Sequence, residues 1–162
     1  MEPKPRNRSV FKGLIAGSLG GLAASWVMTQ FQSLLTPPSA QEKKGDDATV
    51  KTADKISSSV LDHKLTEDEK KTAGPVVHYA YGTAIGALYG GLAQRYEITK
   101  YGFGSAYGTG AWLFGDEVAV PALGLGNKPA ETPGSQHVQA LAAHLVYGVA
   151  LEGFRRLALK VI

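Results

Sequence analysis

Gln136-His137-Val138-Gln139-Ala140-Leu141-Ala142-Ala143-His144-Leu145-Val146-Tyr147-Gly148-Val149-Ala150-Leu151-Glu152-Gly153-Phe154-Arg155-Arg156 is the stretch whose reading decides the fold. Its apolar length suits a membrane-spanning helix, which needs about 20 residues to cross a hydrocarbon core about 30 Å thick. Two histidines sit seven residues apart, a glutamate follows two turns after the second, and an arginine pair stands where the helix would leave the bilayer. The span runs from about 136 to 158.

Three further runs share its character. Gly13 to Leu35 is 23 residues without a charge. It continues past Ala23-Ala24-Ser25 through Trp26, Val27, Met28 and Phe31, which favours an uncleaved anchor over a secretory signal. Residues 75 to 93 contain only His78 as an ionisable group. Residues 101 to 125 hold Phe103, Tyr107, Trp112 and Phe114, then Asp116-Glu117, and Pro121 kinks or ends the helix. The short connection 94–100 makes the second and third spans an antiparallel hairpin. The expected fold is therefore all-α: an integral membrane four-helix bundle forming a single domain over residues 1–162.

Composition agrees once it is resolved along the chain. The mean hydropathy near zero averages apolar runs with a polar loop, residues 37–74, whose acids and bases nearly cancel. That balance, with a net charge of only +3, leaves no basic patch and argues against nucleic acid as a partner. Val50, Ala53, Ile56, Val60 and Leu61 keep a helical period within the loop, so part of it reads as an amphipathic helix at the surface. Thr66-Glu67-Asp68-Glu69 fits a capping box, and so a helix start. Pro37-Pro38 ends the first span. Absence of cysteine excludes disulfides, thiol catalysis and zinc–thiolate sites.

The 20 glycines concentrate in and beside the apolar runs. An interior glycine costs a soluble helix about 1 kcal/mol against alanine, but membrane helices use small residues to bring backbones close. Gly13, Gly17 and Gly21 fall every fourth residue on one helix face, as do Gly82, Gly86 and Gly90. Both sets read as packing seams or, more plainly, as generic small-residue faces.

Orientation follows from Lys and Arg in the short flanks. Lys4, Arg6, Arg8, Lys12, Arg95, Lys100, Arg155, Arg156 and Lys160 collect on one side and only Lys128 on the short opposite loop. Both termini are thus expected in the cytoplasm, with residues 37–74 on the outer face. A rise of about 1.5 Å per residue puts His78 and His137 near the outer boundary, Asp116 and Glu117 about 10 Å below it and His144 about 12 Å below it.

Ionisable groups at that depth are expensive and often mark a site. His78, Asp116, Glu117 and His144 are the candidates for a proton relay or an ion site, since imidazole titrates near neutrality and suits divalent metals. Paired histidines on facing helices are also compatible with haem ligation. The competing account makes the carboxylates paired helix glue. Glu152 with Arg155 and Arg156 has ion-pair spacing on one helix face at the membrane edge.

Gly13-Leu14-Ile15-Ala16-Gly17, the Pro37-Pro38 exit, His78 with the Gly/Tyr-rich run to Tyr89-Gly90, Pro121-Ala122-Leu123-Gly124-Leu125 and, above all, His144-Leu145-Val146-Tyr147 with Glu152 and Arg155-Arg156 resemble the YagU-like family of small bacterial inner-membrane proteins. The resemblance touches all four spans but not the polar loop. It implies a four-helix inner-membrane protein and carries over no catalytic residue; His78, His144, Glu152, Arg155 and Arg156 match as motif residues. The expected function is a structural, accessory or assembly role through close helix packing, in contact with the lipid bilayer and with copies of itself or a larger membrane complex. The alternative is proton or ion handling by the His/carboxylate cluster. No catalytic constellation is present, so neither an enzyme nor a resident cofactor is expected.

Overall fold

A computed structural model describes residues 9–35 and 45–162. Among them every regular element is helical. Helix α1 spans Val10–Leu35, α2 Ala48–Val60 and α3 Glu67–Arg95. A tight 3₁₀ turn over Glu97–Gly104 leads into α4, Ser105–Trp112. A π-helical segment, Leu113–Ala119, and the short α5, Val120–Ala122, complete a third rod. After a 3₁₀ turn at Pro129–Glu131, α6 runs over Gly134–Val161.

The helix starts follow from local chemistry. Asp47 caps α2 by accepting from the N–H groups of Thr49 and Val50. At α3 the expected capping box is present: Thr66 accepts from the Glu69 N–H, and the Glu69 carboxylate accepts from the Thr66 N–H at 2.7 Å. Because this cap lies at Thr66, α3 begins two turns before the expected start at residue 75. Pro75 lies inside the helix. The Pro37-Pro38 exit lies outside the described residues; α1 ends at Leu35.

The third rod is shorter than the expected 101–125. Gly102, Phe103 and Gly104 all have positive φ, so residues before Ser105 form a turn instead of a helix. Phe103 pays for a left-handed backbone that only glycine adopts freely. At the other end Pro121 has no N–H to donate, and in an ordinary helix its ring would press on the carbonyl four residues back. The wider π turn accommodates it, with the Val120 N–H bonding the Gly115 carbonyl five residues back. Gly124, at φ +66°, terminates the rod. The Lys55 ammonium of α2 donates to the Leu123 carbonyl at 2.6 Å, tying the polar segment to this end.

The rods alternate in direction. Gly13 of α1 lies against Gly90 of α3, and Gly21 against Gly82 and Gly86, so α1 and α3 are antiparallel. Gly20 faces Leu151 and Arg155 of α6, while Gly104 faces Gly148 and Gly108 faces His144. The spatial order is α3, α1, α6, third rod. One end of the bundle gathers Lys12, Arg95, the 97–104 turn and the end of α6, where Lys12 meets the Ile162 carbonyl.

The interior is built from small residues. A Cβ on Gly17 would strike the Gly86 carbonyl oxygen, and one on Gly86 would sit 2.6 Å from the Gly21 Cα. The two glycine triplets read from the sequence thus face each other. A second seam joins Gly104 and Gly108 to α6 at Gly148. Ala24, Met28, Tyr89, Ala93, Ala143, Tyr147 and Leu151 fill the core between them. Large apolar side chains point outward instead: Trp26 is 57% exposed and Phe114 70%. By length and apolar content together, one described helix, Val10–Leu35, qualifies to cross a membrane.

Candidate functional site

The buried and half-buried ionisable groups fall into separate sets. The first lies where α6 passes the π segment. There the seven-residue spacing of His137 and His144 presents both imidazoles, two turns apart, toward Asp116-Glu117. His137 Nδ1 lies 2.5 Å from a Glu117 oxygen and its Nε2 3.1 Å from the Pro129 carbonyl. His137 thus bridges the Glu117 carboxyl of the π segment and the Pro129 carbonyl of the turn before α6.

His144 is held differently. Its Nδ1 donates to the Ala140 carbonyl one turn back at 2.9 Å and lies 3.7 Å from Asp116 Oδ2. The latter distance is electrostatic contact and not a hydrogen bond. Among the described residues Asp116 accepts no hydrogen bond, and its side chain is 40% exposed. His78 stands apart on α3, with its Nε2 3.4 Å from the Thr29 hydroxyl of α1. Of the four expected relay residues, the fold therefore pairs Asp116 with His144, gives Glu117 to His137, and leaves His78 elsewhere. Among the described residues no group of three or more His, Asp or Glu side chains is placed to hold a metal ion.

The second set lies at the end of the bundle that holds the chain's last turns. Glu152 is completely buried. Its carboxylate accepts from Arg155 at 2.7 and 2.9 Å, from Arg156 at 2.6 Å and from the Tyr89 hydroxyl of α3 at 2.7 Å. The expected ion pair is present and is more elaborate than its spacing suggested. The bidentate Arg155 offsets the cost of desolvating the carboxylate. Arg156 is half exposed and its guanidinium lies 4.5 Å over the Phe103 ring, which gives that left-handed residue a packing role.

Between the two sets run tyrosines that sequence reasoning did not single out. Tyr147 donates to the Gly82 carbonyl at 2.6 Å, and Tyr107 to the Ile85 carbonyl at 2.7 Å. Tyr89 and Tyr107 pack with ring centroids 4.8 Å apart. A signal was available: Tyr81, Tyr89, Tyr107 and Tyr147 each precede a seam glycine, so each ring lies beside a close helix approach.

A family model described as "Protein of unknown function (DUF1440)" matches residues 33–153. The match takes in α2, α3, the third rod and α6 as far as Gly153, and the chain belongs to that family. No curated protein and no solved structure matched the chain.

Proposed function

We propose that this DUF1440 protein is a small polytopic membrane protein, with the four rods as membrane spans, whose role is structural or accessory and is exercised through close helix packing. The observation that carries this reading is that Glu152 and Glu117, two of its three carboxylates within the rods' packed segments, are each held by a basic partner, while Asp116 has only a looser contact with His144. Glu152 is saturated by Arg155, Arg156 and Tyr89, and one oxygen of Glu117 is held by His137. The Tyr107 and Tyr147 hydroxyl protons go to backbone carbonyls, which cannot pass them on. Among the described residues, neither of these two hydroxyls donates to another titratable side chain.

The membrane assignment rests on the distribution of side chains. Glycine, serine, tyrosine and ion pairs occupy the interior, while Leu19, Trp26, Leu88, Phe114, Val138 and Leu157 face outward from all four rods. So large an apolar exterior marks a surface made for lipid or for partners. The resemblance to the YagU-like family points to the bacterial inner membrane, with both termini cytoplasmic, and the partner to a second copy or a larger membrane complex. The chain acts as no enzyme in this reading.

The test is ion flux. Protein reconstituted in liposomes and challenged with a pH step is expected to leak protons no faster than protein-free liposomes. A proton flux that disappears in Asp116→Asn would instead establish the proton-handling alternative.

A further inference from the structure

Glu152 has more positive charge than it needs. Its buried carboxylate is balanced by Arg155 alone, through bonds of 2.7 and 2.9 Å, and Tyr89 adds a donor at 2.7 Å. Arg156 brings a second cation to the same carboxylate at 2.6 Å, so the cluster keeps one positive charge in excess. The excess lies on the arginine that reaches the surface. The Arg156 side chain is 51% exposed, and that of Arg155 5%.

Arg156 is also held in place. Its Nε donates to Glu152, and its guanidinium carbon lies 4.5 Å over the Phe103 ring. Gly153 admits that ring: Phe103 Cε1 lies 3.8 Å from where a Gly153 Cβ would be. Among the described residues the two Nη groups of Arg156 donate to no acceptor. A planar guanidinium fixed at Nε and from one face, with both Nη groups open, is the fork that meets two oxygens of a phosphate.

The neighbours of the fork select the kind of phosphate. Lys160 is exposed one turn further along α6, on the side of the helix that carries Arg156, and meets no carboxylate among the described residues. Phe103, Phe154 and Leu157 are exposed beside this basic pair. A dissolved phosphate would leave those apolar groups unmet; a phospholipid meets both. The surplus charge favours a lipid with a net negative headgroup over a zwitterionic one.

We propose that Arg156 and Lys160 bind the phosphate of an anionic phospholipid of the phosphatidylglycerol class, with Phe103 and Leu157 against the upper part of its acyl chains. The site rests on the membrane reading above and adds a lipid specificity to it.

The full chain in mild detergent is titrated with phosphatidylglycerol or with phosphatidylcholine of the same acyl chains, and bound lipid is counted by native mass spectrometry. Phosphatidylglycerol is expected to bind about tenfold or more tightly than phosphatidylcholine. Arg156→Gln should remove that preference, and Lys160→Gln should weaken phosphatidylglycerol about fivefold. Lys128→Gln, which deletes the same charge from the loop before α6, should leave binding unchanged. Thermal melts check folding; if Arg156→Gln fails to fold, the exposed Lys160 still decides. Equal binding of the two lipids, undiminished binding in the folded variants, an equal loss in Lys128→Gln, or displacement of the lipid by excess inorganic phosphate would overturn the proposal. Alkaline carbonate extraction separates the two readings. A chain that stays in the membrane but shows no lipid preference refutes this site alone, and a chain that is released refutes both.

Discussion

At the scale of single residues, two glycines on neighbouring rods separate steric necessity from mere smallness. Gly86 has the Gly17 carbonyl and the Gly21 Cα where a methyl group would go, and Gly110 has nothing. Gly86→Ala is expected to destabilise the protein by about 1–3 kcal/mol or more, since the helices must part to admit it. Gly110→Ala is expected to be neutral or to stabilise by about 0.5–1 kcal/mol through helix propensity. Melting temperatures of the two variants in one mild detergent decide the matter, and similar shifts would remove the seam argument. The sequence showed which glycines share a helix face but not which face meets a backbone. That depends on the packing of helices far apart in the chain, as does the meeting of Tyr89 with Glu152, 63 residues away.

Among the elements, the corner between α2 and α3 is the part most directly written in the sequence. Thr66 and Glu69 are spaced for a capping box, and the box forms. Hydrogen bonds from the Thr66 N–H, then from His63, then from the Thr66 hydroxyl hold the Glu69 carboxyl down at about 2, against an ordinary value of 4.5. A carboxyl lowered in the folded state stabilises it fully above the unfolded value and loses that contribution as the pH falls through the folded one. The first turns of α3 should therefore be firmly protected above about pH 4.5 and fray progressively as the pH approaches 2. Thr66→Ala should cost about 1 kcal/mol and bring the fraying to neutral pH. Amide hydrogen exchange over residues 67–71 measures both, and pH-independent protection in the native chain would contradict the account. The third rod was less legible. Pro121 announced an irregularity, but not that it would be spread over a seven-residue π segment. Nor did Tyr101 to Gly104 announce three successive left-handed residues, one of them Phe103.

For the whole molecule, four rods alternate in direction, and positions 12, 95 and 160 gather toward one end. The cysteine-free chain makes the proposed membrane orientation directly testable. Ser58→Cys, on α2, should react with a membrane-impermeant maleimide in intact spheroplasts. Lys160→Cys, near the end of α6, should react only after permeabilisation. Labelling of both from the same side would rule out the four-span reading. What the sequence could not supply was the division of the His and carboxylate residues. Depth along a helix follows from residue number, but angular position around the bundle is set by the seams, and it is the angle that separates His78 from the other three.

The seams have a consequence for how the rods are held in rotation. An opposing oxygen that occupies the place of a missing Cβ lies along one of the glycine's α-hydrogens. The contacts of Gly17 with Gly86, Gly90 with Gly13, and Gly148 with Gly104 are therefore a ladder of Cα–H···O bonds. Each is weak, but each has direction, which dispersion between apolar side chains lacks. A rod that turned about its own axis would break its whole ladder at once. Rotational phase is thus fixed by the backbone alone, and the side chains of Tyr89 and Glu152 meet because their helices are already keyed.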